Sequence, residues 1–130
     1  MNIWQHHAAV GLGSALGASL RYLTSLWLLG STFPWATLLV NILGSWLIAA
    51  FAAYASRRLD GRVARWQPFL LAGFCGGFTT FSLFGLETLY LFDQERYWLA
   101  PIYVGISVTL WLAGAWHGDR WGRRLALARR

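Results

Sequence analysis

Lysine is absent from this chain, and only five acidic residues stand against eleven basic ones, all of them arginine. Charged residues make up 12% of the 130 positions and hydrophobic ones 57%, which excludes an ordinary soluble domain and places the chain in the membrane class. A single cysteine, Cys75, rules out an intrachain disulfide and reads as a small packing residue. No nucleophile–base pair, metal-ligand cluster or phosphate loop is present, so an enzyme is not expected. The net charge of +6 raises nucleic-acid binding, but the arginines occupy short loops and the tail between apolar stretches, with no basic recognition helix. Arginine in that position marks the cytoplasmic face of a membrane protein. The N-terminus opens with Trp4, His6 and His7 rather than a basic segment, so no cleavable signal peptide is expected, and the two histidines read as surface residues.

Four apolar spans can be drawn, at residues 8–29, 35–54, 67–91 and 98–116, each near the ~20 residues that cross ~30 Å of hydrocarbon. They are joined by short connections into one membrane domain, residues 1–130, without a repeat or linker. The fold class expected is an all-α integral membrane protein of four transmembrane helices. Four thin helices leave little room for a pore within one subunit, which argues for an oligomer.

The most unusual stretch is Gly73–Glu87, GFCGGFTTFSLFGLE. Gly76 and Gly77 are costly in a helix, and the adjacent β-branched Thr79 and Thr80 pack poorly there, so the helix is expected to break near residues 76–80. In hydrocarbon, a break frees carbonyls and is tolerated only where it lines a cavity or binds an ion. Bare carbonyls suit a hard cation such as sodium. Beyond the break, Phe81 and Phe84 fall on one helical face, with Ser82 between them and Glu87 further on.

Other spans carry isolated polar residues. Gly13 and Gly17 form a small-xxx-small pair in the first. Ser14, Ala18 and Arg21 share a face, and Arg21 either has a functional role or snorkels to the headgroups. In the second span, Asn41, Gly44, Ser45 and Ile48 lie on one face, where an asparagine commonly bonds to a neighbouring helix. The fourth carries Tyr103 and Ser107 one turn apart, with Gly105 and Gly114 available for packing. Tyr103 fits either a polar track or an aromatic belt. The tail from Asp119 to Arg130 reads as an amphipathic or frayed surface segment.

The run Gly76-Gly77-Phe78-Thr79-Thr80-Phe81-Ser82-Leu83-Phe84, with Glu87 three residues on, resembles the third-segment signature of the Fluc/CrcB fluoride channels. Arg21 with Tyr22 in the first span, and Val40-Asn41 with Gly44 in the second, are similar to that family's patterns too. The resemblance implies an antiparallel, dual-topology dimer with two fluoride pores, in a bacterial inner (plasma) membrane. It implies a fluoride path along Phe81, Phe84, Ser82, Asn41, Tyr103 and Ser107, with Arg21 as a vestibule charge and Glu87 in the pore helices. It further implies a structural, untransported sodium ion on the backbone carbonyls of Gly76 and Thr79, with Gly77 serving packing. Phenylalanine edges, the positive part of the ring quadrupole, and hydroxyl and amide donors are groups that can replace an anion's water.

Two features depart from the family pattern. Leu83 stands where threonine is frequent. Four arginines in the second loop (Arg57, Arg58, Arg62, Arg65) and five in the tail, against Arg96 opposite, favour one orientation, with both termini cytoplasmic. That leaves two partners open: a second copy of the chain, or an oppositely oriented paralogue. Two other function classes compete: a small four-helix multidrug-resistance exporter, which wants a carboxylate in the first span where this chain has none, and a non-transporting assembly subunit.

Overall fold

The computed structural model describes residues 2–58 and 61–128. Asp60, Arg129 and Arg130 of the charge count lie outside them. The described residues are helical, with no strand: α1 (Ile3–Trp27), α2 (Trp35–Ala55), α3 (Gly61–Gln67), a π-helical segment (Pro68–Cys75), α4 (Gly76–Phe78), α5 (Phe81–Asp93) and α6 (Leu99–Ala128).

Local sequence accounts for several boundaries. Asn2 caps α1 by accepting from the Gln5 N–H at 2.9 Å, while Gln5 reaches back to the Asn2 N–H at 3.1 Å. Gly30 follows α1 with φ of +88°, in the left-handed region where glycine is favoured, and Pro34 precedes α2. Pro68 opens the π-helical segment, consistent with its missing N–H, and wide turns of this kind concentrate at functional sites.

Three stretches, Trp35–Ala55, Gly61–Asp93 and Leu99–Ala128, are long and apolar enough to cross a membrane. The protein is therefore a multi-pass membrane protein. The four-span expectation meets a difference at α1, which lies outside that set: its 25 residues include Arg21, three glycines and repeated serines that dilute its hydropathy. The fourth helix differs as well. It runs unbroken for 30 residues to Ala128, so the described part of the tail is packed helix and not a frayed end.

The helices pack as two parallel pairs, each on a seam of small residues. Along α1, Gly13 lies on Phe69 and Gly73, while Gly17 lies on Phe74 and Phe78. Gly77 closes the same seam against the Ser14 backbone. Along α6, Gly114 meets Ile42, Gly118 meets Trp46, and Gly122 meets Ala50. Contact positions advance together along both chains in each pair, which is what makes the pairing parallel. A methyl group at Gly17, Gly77, Gly118 or Gly122 would overlap a carbonyl of the opposing helix. Without a hydrophobic driving force in lipid, such close backbone approach supplies the van der Waals attraction that joins helices. Gly105, expected to serve packing, instead faces open space.

The α6 seam gives a direct test. Gly122→Val should push α6 off α2 and destabilise the fold by about 1–3 kcal/mol, as overpacking does. Gly105→Ala should leave stability unchanged or raise it by up to about 1 kcal/mol, the helix-propensity difference. Thermal unfolding in detergent measures both, and equal effects would show that the seam is not a tight contact.

Candidate functional site

The helix stops at Phe78 and resumes at Phe81. Between them Thr79 (φ −83°, ψ 158°) and Thr80 (φ −152°, ψ 121°) are extended. The change of direction falls on the two threonines and not on the glycines before them, since Gly76 and Gly77 are helical. β-branched residues are the better fit to extended backbone. Thr79 closes the first half by donating its hydroxyl to the Cys75 carbonyl at 2.8 Å. Thr80 opens the second as N-cap, its hydroxyl accepting from the Leu83 N–H at 3.1 Å.

Asn41 on α2 holds this link from the side. Its amide donates to the Thr80 carbonyl and accepts from the Thr80 N–H, both at 2.8 Å. Asn41 is buried, as is Thr80. Gly44, one turn along, leaves room for the methyl of Thr79. Arg21 approaches from α1, where its Nε donates to the Gly77 carbonyl at 3.2 Å, and Ser14 donates to the Gly73 carbonyl at 3.3 Å. Arg21 thus has its Nε tied to the segment just before the interruption.

These bonds decide which carbonyls lose their helical partners. In a continuous helix the Gly76 carbonyl would accept from the Thr80 N–H, and the Thr79 carbonyl from the Leu83 N–H. Asn41 takes the first donor and the Thr80 hydroxyl takes the second. Gly76 itself is solvent-exposed in the single chain. A pair of freed carbonyls is a donor set for a hard cation.

Glu87 sits deeper in α5 and joins three helices. Thr37 of α2 donates to one carboxylate oxygen and Tyr103 of α6 to the other, each at 2.7 Å. Tyr103 is wholly buried and also packs edge-on against Phe33, at 5.4 Å between ring centroids. Thr37 was missing from the residues expected from the sequence; the signal that would have found it is its place one turn before Asn41 on the same face of α2.

Phe81 and Phe84 are neighbours, with ring centroids 5.5 Å apart, yet they differ in burial. Phe84 is 6% exposed and packs on Tyr103 and Trp111, whereas Phe81 is 75% exposed. Ser82 is exposed beside it and lies 3.4 Å from the Thr80 hydroxyl. Ser107 is fully buried on α6. The site thus combines a buried half, made of Asn41, Thr80, Phe84, Tyr103 and Ser107 with the half-buried Glu87, and an uncovered half, made of Gly76, Phe81 and Ser82.

Comparison with known proteins identifies the family. The family described as CrcB-like protein, Camphor Resistance (CrcB), matches residues 8–119. A protein of Paramagnetospirillum magneticum named fluoride-specific ion channel FluC is 47% identical over 119 residues, covering 86% of this chain and 91% of its own. One of Rhodopseudomonas palustris, named fluoride-specific ion channel FluC 1, is 42% identical over 125 residues, with coverage of 92% and 87%. A third, from Coxiella burnetii and again named fluoride-specific ion channel FluC, is 43% identical over 117 residues, with coverage of 88% and 94%. The match spans nearly the whole of each partner, and the chain belongs to the CrcB-like family.

Proposed function

We propose that this protein is a fluoride-specific ion channel of the bacterial inner membrane that lowers cytoplasmic fluoride by passive efflux. The observation that carries the reading is the Phe81–Phe84 pair set directly after a backbone link that Asn41 clamps. Fluoride is small and strongly hydrated, so a conducting path has to exchange its water for donors and positive ring edges that bind it weakly enough to release it. Asn41 uses one amide hydrogen on Thr80 and keeps the other for an ion. Ser82, exposed beside Phe81, adds a hydroxyl.

In this reading α1 crosses the membrane as the fourth span, carried by its seam with the third. The interruption at Thr79–Thr80 is then a break at the centre of one membrane crossing, and the uncovered half of the site is closed by a second subunit in antiparallel orientation. The carbonyls of Gly76 and Thr79, deprived of their helical donors, would hold a structural sodium ion together with the same pair from the partner. Bound there, sodium supplies positive charge that fixes the two breaks against one another, and it is not transported. Glu87, held by Thr37 and Tyr103, ties α5 to α2 and α6 and keeps Phe84 in register.

Fluoride efflux from liposomes, with chloride as control, tests the function. Rapid fluoride-selective efflux from the protein purified alone assigns the antiparallel homodimer. Efflux only on co-expression with an oppositely biased paralogue assigns the heterodimer, and none in either case overturns the channel. Asn41→Leu should abolish fluoride flux and lower the melting temperature, because it leaves the buried Thr80 N–H and carbonyl unpaired at about 1–3 kcal/mol each. Replacing sodium by N-methylglucamine should also lower the melting temperature of the wild type; an unchanged value would remove the sodium site.

A further inference from the structure

Two buried donors on α6 have no hydrogen-bond partner among the described residues: the Ser107 hydroxyl and the Trp111 indole N–H. They stand one helical turn apart, about 6 Å along the axis. Tyr103, a turn earlier, has its hydroxyl committed to Glu87. A buried polar group without a partner is costly, and native proteins resolve nearly all of them with water, an ion or another group. The indole N–H is a donor only, so whatever satisfies it has to be an acceptor.

The surroundings narrow that acceptor. Trp111 lines a cavity of about 290 Å³ with Asn41, Ser45, Thr80 and Phe81. No carboxylate borders this cavity. Its two strongest protein acceptors, the Asn41 side-chain oxygen and the Thr80 carbonyl, are already taken by one another's donors. What remains is an aromatic-flanked space that holds hydroxyls and one side-chain amide but no formal charge, with Trp111 crossing Phe84 at 4.8 Å and 72°. Such a space favours a small anion over a cation.

We propose that Trp111 donates its indole N–H to the permeating anion beside Phe84, extending the donor series of Asn41 and Ser107 along α6. This rests on the fluoride-channel reading. A charge-assisted N–H bond is stronger than a neutral one, and no group among the described residues accepts the Trp111 indole N–H. The polar path then continues past Phe84 on a tryptophan, a residue whose bulk alone reads as packing.

The full-length protein, labelled with ¹⁵N at its nine tryptophan indoles and held in lipid nanodiscs, is titrated with sodium fluoride and, separately, sodium chloride. One indole N–H resonance should move downfield with fluoride and not with chloride, and should be absent in Trp111→Phe. That variant should keep the wild-type melting temperature and lose about tenfold or more of fluoride efflux, as removal of one charge-assisted bond implies. If Trp111→Phe does not fold, Trp111→Tyr serves the assignment. The wild-type titration decides without either: nine fluoride-insensitive indoles overturn the proposal. So does an upfield, fluoride-independent Trp111 resonance, which would place the N–H on the Phe84 ring. Fluoride flux in the wild type together with that result sinks this inference alone. Absence of flux, with and without a paralogue, sinks the channel reading and this with it.

Discussion

A single side-chain amide governs the centre of this molecule. Asn41 satisfies both the N–H and the carbonyl of Thr80, and so lets two residues leave the helix inside an apolar layer where nothing else would solvate them. Because Thr80 gives its N–H to Asn41, the Gly76 carbonyl is released. The Thr80 side chain, now free of helical geometry, caps α5 and releases the Thr79 carbonyl in turn. The position of α5, and hence of Phe81, Phe84 and Glu87, follows from that one bidentate contact.

Close helix packing makes the contact possible. Asn41 reaches Thr80 only because Gly44 admits Thr79 and because small residues on α1 and α6 bring backbones to touching distance. The two seams are parallel pairs, α1 with the third segment and α2 with α6, and Asn41 and Glu87 are the principal polar ties between the pairs. Glycines at the seams and a few buried or part-buried hydrogen bonds between them are an economical way to hold irregular backbone in lipid. It also concentrates the polar groups of the chain in one layer, where an ion needs them.

The same arrangement leaves part of the site unfinished. Phe81, Ser82 and Gly76 are exposed, whereas Asn41 and Thr80 beside them are buried and bonded to one another. Lipid-exposed apolar surface is ordinary on a membrane protein, but backbone and hydroxyl groups open to hydrocarbon at an apolar face are not. In the proposed antiparallel pair a second subunit would cover both, and the pore and cation site are accordingly proposed as shared.

Composition alone determined the membrane class, and the odd chemistry of residues 76–87 marked the candidate site, because hydroxyls, a glycine pair and a carboxylate are costly inside an apolar run. Asn41, Tyr103 and Ser107 stood out for the same reason. Other features were hidden because they depend on distance and not on residue type. Thr37 reads as an ordinary helix residue until Glu87 arrives 50 positions later in the chain. Trp111 reads as packing until its N–H is found buried and unpaired. Gly118 and Gly122 look no different from Gly105, yet two lie against a backbone and the third faces open space. The location of the break shows the limit most plainly: local propensity indicated residues 76–80, but only the tertiary bond from Asn41 decided that Thr79 and Thr80 would be the extended pair, since a backbone donor leaves a helix where a better acceptor is waiting.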